Sequence, residues 1–287
     1  MFSSLNVYRS PSLRPFSPTS NSDVISLSDS QISSSHANKV PFIIGVAGGP
    51  GAGKTKVCNM VIERLQLHEH SQIQKVAVLS LVRFLREFEG EDLDAAKQGN
   101  MNLEHPDAYD FDLLVTILSE LREGNSVNLP IYDFANWKRC PQSESWTDPL
   151  PDVIILEGCL VLFSSKVQQS LSMKIFADVD ADTRLTNLVN KELQKKDGNI
   201  EHVILRYTHV RKPTFEQFIF PTKKSADIIM PRGFENTVAV NLITEHIHAI
   251  LTKPATCTTP VMKESENPPI ASDVFYKPKR IFSPIPK

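Results

Sequence analysis

The sequence predicts an α/β sandwich around a mostly parallel sheet, and two alternating patterns support this fold class. Five short apolar runs rich in valine and isoleucine lie at residues 42–47, 76–79, 153–156, 174–179 and 226–230. Such runs are typical of strands that are buried on both faces of a parallel sheet. Helical patterns lie between or after them, at residues 54–67, 110–122, 181–195, 200–218 and 236–252. Their alternation predicts helices on both faces of the sheet, connected by right-handed crossovers.

Length and composition limit the class of protein. The chain has 287 residues, 41% of them hydrophobic, and a formal net charge of -2. These values suit one folded domain with flanking segments, and the near-neutral charge gives no indication of nucleic-acid binding. No apolar run approaches the roughly 18 residues of a membrane-spanning helix, so we expect no membrane segment. The four cysteines are scattered and predict reduced thiols in a cytoplasmic protein.

Composition also divides the chain into three parts. Residues 1–39 are rich in serine and proline and lack apolar periodicity, which predicts a disordered leader. Because this segment contains Arg9 and Arg14 and few acidic residues, import into an organelle is the alternative interpretation. Residues 40–252 carry the predicted sandwich, and the proline-rich residues 253–287 predict a disordered tail.

The first predicted strand leads into a glycine-rich motif, 43-IIGVAGGPGAGKT-55. Its Gly48, Gly53, Lys54 and Thr55 fit the spacing G-x-x-x-x-G-K-[ST], between a strand and a helix, which is the context of a phosphate-binding loop. A tight glycine turn without a ligand would not need so complete a motif. We expect Lys54 to reach the β- and γ-phosphates of ATP and the Thr55 hydroxyl to ligate Mg²⁺. The predicted ATP-binding residues are Gly48, Gly49, Pro50, Gly51, Ala52, Gly53, Lys54, Thr55 and Lys56.

A second group for the metal follows the third predicted strand, at Glu157 in 152-DVIILEG-158. In parallel sheets, ligands bind outside the carboxyl ends of the strands, where a carboxylate binds Mg²⁺ directly or through water. The alternative is an ordinary acid that caps the turn after the strand. Beside a phosphate-binding loop we favour the metal role, so the sequence predicts ATP and Mg²⁺ as cofactors.

Further motifs follow the phosphate-binding loop in a characteristic order. They are 104-EHPDAYD-110, 130-PIYDF-134, 156-LEG-158, 178-DVDADTRL-185 and 211-RKPTFEQFIFPTKKSADIIMPRG-233. With these motifs the span from about residue 40 to 252 resembles the uridine–cytidine kinase family of the phosphoribulokinase/uridine kinase-like P-loop kinases. The resemblance implies a three-layer sandwich with a central, mostly parallel five-stranded sheet, a lid helix and a small β-hairpin insertion. It also implies ATP- and Mg²⁺-dependent phosphorylation of the 5′-hydroxyl of uridine or cytidine in pyrimidine salvage, usually by a homotetramer.

The resemblance assigns roles to residues around the acceptor. Tyr132 matches the tyrosine that packs in the nucleoside pocket, and Glu104 takes the place of an aspartate that binds the ribose hydroxyls. Trp137 aligns with the histidine that reads uracil, and Arg206 aligns with a glutamine of the pocket. Glu235 matches an acid near the ATP. The changes at Trp137 and Arg206 imply an altered base preference.

The predicted lid helix departs from the family pattern, which is rich in arginine. Leu188 and Gly198 stand at two of the arginine positions, whereas Lys191 and Lys196 keep a positive charge at two others. Lysine lacks the planar fork by which arginine binds phosphate oxygens. A solvated helix end is the alternative interpretation of the lysines.

The departure with the largest chemical consequence lies in 78-VLSLVRFL-85. The family reads S-Q-D-S-F-Y where this chain reads 80-SLVRFL-85, so the catalytic aspartate falls on Val82 and a nearby tyrosine on Leu85. Valine neither accepts a proton nor binds a metal, and general-base assistance typically contributes about 10²–10⁴-fold in rate. Glu104, one methylene longer than the family's aspartate, is the candidate replacement base.

Two functions are consistent with these residues. The first is a uridine or cytidine kinase-type phosphotransferase whose catalysis is weakened or altered. The second is a catalytically lapsed ATP-binding relative that acts as a regulatory or assembly subunit, in a homo-oligomer or with an active kinase. Simultaneous changes at the base, the uracil reader and the lid favour the second, whereas the complete loop with Thr55 and Glu157 indicates continued nucleotide binding.

Overall fold

The structure is a computed structural model that describes residues 40–67, 75–195 and 198–251. The predicted leader and tail, residues 1–39 and 253–287, lie outside the described residues. Strands of the described chain are β1 (Phe42–Gly48), β2 (Val76–Ser80), β3 (Val127–Asp133), β4 (Lys138–Trp146), β5 (Val153–Glu157), β6 (Met173–Asp178) and β7 (Ile228–Pro231). Among these residues, no helix is both long and apolar enough to cross a bilayer.

The five strands of the central sheet have the order β2-β5-β1-β6-β7, and every neighbouring pair is parallel. This topology confirms the predicted α/β fold with a five-stranded sheet. In its register, Glu157 on β5 pairs with Val46 on β1 and with Ser80 on β2. The carboxyl ends of three strands therefore meet at one edge of the sheet, where ligands of such folds bind.

Helices lie between the strands, most of them where the sequence predicts and two, the second and the fourth, where it predicts none. They are α1 (Lys54–Leu67), α2 (Gly90–Lys97), α3 (Phe111–Arg122), α4 (Ser165–Ser170), α5 (Ala181–Leu193), α6 (Ile200–Arg206), α7 (Lys212–Thr214) and α8 (Thr237–Leu251). The bounds of α1 match the prediction, and α5, the predicted lid helix, ends two residues early. A 3₁₀ turn, Leu81–Phe84, follows β2 directly.

The predicted helix 200–218 contains two π turns, at Tyr207–Arg211 and Phe215–Ile219. In the first, the Lys212 N–H donates to the carbonyl of Tyr207, five residues earlier. Residues five apart in a regular α-helix point about 140° away from each other, whereas a π turn brings them towards one face. The first π turn therefore allows Arg206 and Arg211 to face the same side.

Apolar side chains fill both faces of the sheet, because successive residues of a strand point to opposite sides. On one face Ile43 packs with Phe176 and with Leu118 of α3 in the larger apolar cluster. On the other face Ile44 packs in a second cluster with side chains from α1 and α8, such as Val61. The two clusters complete the three-layer sandwich.

Outside the main sheet, β3 and β4 form an antiparallel hairpin, which confirms the predicted β-hairpin insertion. Charged pairs connect it to the body of the protein. Arg83, beyond β2, contacts Glu144 of β4 at 2.6 Å, and Arg139 of β4 contacts Asp110 at 2.9 Å. The hairpin is therefore fixed beside the end of β2, where the candidate site lies.

The packing predicts a large difference between two phenylalanines. Phe176→Ala removes a ring with 0% exposure from β6 and should lower the free energy of unfolding by about 3–5 kcal/mol. Phe163→Ala is the control, because its ring is 40% exposed, and it should cost roughly half as much or less. Urea unfolding followed by circular dichroism measures both, and equal losses would contradict the assigned core.

Candidate active site

The segment between β1 and α1 turns sharply over the edge of the sheet. Gly51 and Gly53 have φ angles of 79° and 74°, in the left-handed region that favours glycine. A Cβ on Gly51 would lie 2.3 Å from the carbonyl oxygen of Arg184, so the loop packs directly against α5. The Asn187 side chain also donates to the Gly51 carbonyl at 2.9 Å. The phosphate-binding loop and the lid helix α5 are thus in direct contact.

Lys54 lies over this loop as the motif predicts. Its Nζ donates to the Gly49 carbonyl at 3.0 Å and to Cys159 Sγ at 3.2 Å. Burial raises the pKa of the Cys159 thiol, while Lys54 acts in the opposite direction, so the thiol stays protonated at neutral pH. The lysine charge is therefore not neutralised by a thiolate and is available to phosphate oxygens.

Glu157, at the end of β5, connects the start of α1 to the end of β2 through two hydroxyl groups. Thr55 Oγ1 donates to one carboxylate oxygen at 3.0 Å, and Ser80 Oγ donates to the other at 3.2 Å. Mg²⁺ prefers oxygen ligands and is usually bound by one or two carboxylates together with phosphate oxygens, so this donor set fits the ion. The residues that the structure describes contain no group of three or more His, Cys, Asp or Glu suited to a metal. Phosphate oxygens of a bound nucleotide would complete such a site.

Arg184 is a site residue that sequence reasoning missed. It is buried (3% exposed), its Nε donates to the Val179 carbonyl at 3.1 Å, and its guanidinium lies 3.7 Å from the centroid of the Phe215 ring. Nη1 has no hydrogen-bond partner, and a Cβ on Gly49 would lie 2.7 Å from it. An unpaired guanidinium nitrogen beside the phosphate-binding loop is suited to an oxyanion.

The other predicted lid residues contribute less to the described site. Leu188 packs towards the loop, since a Cβ on Gly51 would lie 3.1 Å from its Cγ. Lys191 is exposed on α5, and Lys196 lies outside the described residues. At Gly198, a Cβ would lie 2.2 Å from the Glu192 carbonyl oxygen, so the close approach of the chain favours glycine.

No acidic side chain stands at the position of the family's base. Val82 lies in the 3₁₀ turn after β2 and packs, half-buried, against the larger apolar cluster. Leu85 is fully buried, and its backbone pairs with that of Tyr109. Both residues have thus become part of the apolar packing beside the site.

Glu104 lies next to two arginines. Its Oε1 is 3.2 Å from Arg211 Nε, and Arg206 Nη2 donates to the Met101 carbonyl on the same loop. Glu104 also helps to raise the pKa of Cys159, the thiol that contacts Lys54. The structure therefore brings together Glu104 and Arg206, two residues assigned to the acceptor from the sequence, and adds Arg211, which the sequence analysis did not assign to the site.

Aromatic side chains at and beside the hairpin pack against one another. The Tyr132 hydroxyl donates to the Arg86 carbonyl at 2.9 Å, and its ring meets that of Phe134 edge to face at 5.2 Å. Trp137 has a left-handed backbone (φ 54°) and packs against Phe134 at 5.8 Å and Phe88 at 6.1 Å. The two predicted pocket residues, Tyr132 and Trp137, thus belong to one connected aromatic group.

The other side of the loop carries a second unpredicted residue, Phe234. Lys56 Nζ lies 4.2 Å from the centroid of its ring, and a Cβ on Gly53 would lie 2.6 Å from its Cδ1. Glu235, predicted to lie near the ATP, follows it and is exposed. An aromatic ring against the loop cannot be recognised from spacing alone, because it depends on where β7 ends.

The fold and these groups define a P-loop kinase. The chain belongs to the Phosphoribulokinase / Uridine kinase family, whose sequence profile matches residues 43–239. The family confirms the resemblance read from the motifs. The roles of the individual site residues stay predictions.

Two relatives and one solved structure illustrate the similarity. The chain is 40% identical to zebrafish (Danio rerio) uridine-cytidine kinase 2-B over 217 residues, 75% of this chain and 82% of that protein. It is 41% identical to the chloroplastic uridine/cytidine kinase UKL1 of Arabidopsis thaliana, covering 80% of this chain and 47% of that longer protein. A proposed fructose transport system kinase from Silicibacter sp. TM1040 shares the fold (TM-score 0.52, 17% identity, 70% of this chain and 93% of that one).

The geometry around Lys54 makes a direct prediction about nucleotide binding. Lys54→Ala removes the ammonium group from the loop, and ATP affinity measured by calorimetry should fall about 10- to 100-fold. Lys174→Ala is the matched control, because this lysine pairs with Asp227 at 3.0 Å at the start of β6, away from the loop. Unchanged ATP affinity in Lys54→Ala would contradict the assigned role.

Proposed function

We propose that the chain binds ATP with Mg²⁺ and transfers the γ-phosphate to a hydroxyl group of a small acceptor, in the manner of a uridine kinase. The observation that carries this proposal is the connection of Thr55, Ser80 and Glu157 beside a complete phosphate-binding loop. Uridine and cytidine are the first acceptors to test, because two relatives about 40% identical to this chain are named uridine-cytidine and uridine/cytidine kinases.

The donor side accounts for most of the expected chemistry, since phosphoryl transfer depends chiefly on positioning and charge stabilisation. Lys54 would neutralise the β- and γ-phosphates, and the unpaired Nη1 of Arg184 would donate to a phosphate oxygen near Gly49. Thr55, Ser80 and Glu157 would bind Mg²⁺. When bound, the ion would offset the negative charge of the phosphates.

From the acceptor side of the site we expect slow transfer of the γ-phosphate. Val82 offers no base, and Glu104 is the carboxylate proposed to act in its place. One of its oxygens contacts Arg211 and the other has no hydrogen-bond partner. We therefore propose a weakened or altered phosphotransferase.

The second candidate is an ATP-binding regulatory or assembly subunit. Its support is the apolar packing of Val82 and Leu85, which leaves the place of the base without a polar group. Val238 and Leu242, 66% and 67% exposed on α8, provide an apolar surface for another subunit. This would be a second copy, as in a homo-oligomer, or an active kinase.

We infer a cytoplasmic location, with organelle import through residues 1–39 as the alternative.

Restoring the acid distinguishes the two candidates. Val82→Asp would place a carboxylate beside the metal side of the site, and phosphorylation of uridine or cytidine should rise about 10- to 100-fold. Val82→Asn is the matched control, because it has the same shape without a basic oxygen and should give no such gain. The transfer of labelled phosphate from ATP measures both rates.

Two outcomes would count against the proposal. Equal rates in Val82→Asp and Val82→Asn, with unchanged melting temperatures, would show that the missing base does not limit transfer. Rapid uridine phosphorylation by the unmodified chain would contradict weakened catalysis. A variant with a lower melting temperature would show that the half-buried carboxylate is destabilising, and its rate would then be compared at a lower temperature.

A further inference from the structure

Glu104, Arg206 and Arg211 form a charged cluster, which includes two residues assigned to the acceptor pocket from the sequence. The Glu104 side chain is 13% exposed and that of Arg211 is 23% exposed. Glu104 Oε1 and Arg211 Nε lie 3.2 Å apart and form an ion pair. The N–H group is not aligned with the oxygen, so Arg211 Nε has no hydrogen-bond partner. The two side chains are close, but each keeps a buried polar atom without a hydrogen-bond partner.

The cluster carries more positive than negative charge. It holds two guanidinium groups and one carboxylate, and burial lowers the pKa of Arg206, with Glu104 opposing and Arg211 reinforcing that shift. A buried charge without a partner is costly, and a second guanidinium nearby adds repulsion. An anion in the pocket would offset this surplus of positive charge.

The unsatisfied atoms indicate what such a ligand would carry. Arg206 Nε and Arg211 Nε are buried donors without an acceptor, and Glu104 Oε2 is a buried acceptor without a donor. An oxyanion accepts from guanidinium groups, and a hydroxyl group donates to a carboxylate. A single molecule that bears both an acidic group and hydroxyls would satisfy all three atoms.

Glu104 also connects this cluster to the phosphate-binding loop. On one side it acts on the pKa of Cys159, which lies 3.2 Å from Lys54, and on the other it acts on the pKa of Arg206. A hydroxyl group at Glu104 would therefore lie within the electrostatic influence of groups from both the loop and the arginine cluster.

We propose that the acceptor pocket binds a hydroxyl compound that carries a phosphate or carboxylate group, with the acidic group on Arg206 and Arg211 and a hydroxyl on Glu104. This assignment rests on the proposed function in so far as a hydroxyl of this compound is the acceptor of the γ-phosphate. The binding itself does not require transfer.

Two matched pairs of probes test the assignment by calorimetry with the full chain in the presence of ADP and Mg²⁺. They are uridine against uridine 3′-monophosphate, and D-ribose against D-ribose 5-phosphate. The two members of each pair differ only in a phosphate group. The two pairs place that phosphate at different distances from the sugar hydroxyls. At least one phosphorylated member should bind 10-fold or more tightly than its neutral counterpart, because it gains charge-assisted hydrogen bonds.

Variants assign the gain to the two arginines. Arg206→Gln and Arg211→Gln should each remove most of the preference for the phosphorylated member. Arg122→Gln should keep it, because Arg122 donates to the Gln169 carbonyl at 2.8 Å, outside the pocket. If neither phosphorylated probe binds more tightly than its neutral partner to the unmodified chain, the proposal is wrong, whatever the stability of the variants.

A second source of the anion is the γ-phosphate of ATP. In that case Arg206→Gln and Arg211→Gln would weaken ATP binding but leave ADP binding unchanged, without any preference for phosphorylated acceptors, and this result would overturn the proposal. If the preference is present but no phosphate is transferred to any probe, the proposed function fails while the binding assignment stands. The two failures are therefore distinguishable.

Discussion

The carboxylate of Glu157 is the interaction on which the geometry of the site depends. It accepts from Thr55 in the first turn of α1 and from Ser80 at the end of β2, so it joins the start of this helix to two neighbouring strand ends. This contact exists because β5 lies between β1 and β2 in one parallel register. A shift of one residue in β5 would turn Glu157 to the opposite face of the sheet and separate these groups.

The two halves of the site depend on different parts of the fold. The donor half is built from a glycine-rich loop and strand ends, and α5 packs on it through Arg184. The acceptor half is built from the loop around Glu104, the hairpin and the helix that contains the π turns. The two halves meet where the Arg184 guanidinium lies 3.7 Å from the centroid of the Phe215 ring. Val82 lies in the turn after β2, outside the segment between β1 and α1, so the phosphate-binding loop is complete although the acid is missing.

The sequence predicted the sheet and the main helices well, because buried parallel strands and amphipathic helices have distinct patterns. It also located the loop and Glu157, since both lie in local motifs. It did not indicate that Arg211 contacts Glu104, because these residues lie far apart in the chain and a π turn orients the arginine. Ser80 and Arg184 were missed for a similar reason, since their roles depend on neighbouring strands and on the packing of α5.

The central claim is that Thr55, Ser80 and Glu157 form the metal side of a working nucleotide site. Calorimetric titration of ATP with and without Mg²⁺, in the unmodified chain and in Glu157→Gln, tests it most directly. We expect Mg²⁺ to strengthen ATP binding to the unmodified chain and to have little effect in Glu157→Gln, whose amide is a poorer ligand for the ion. ATP binding that is independent of Mg²⁺, or equally strengthened in both proteins, would contradict the account.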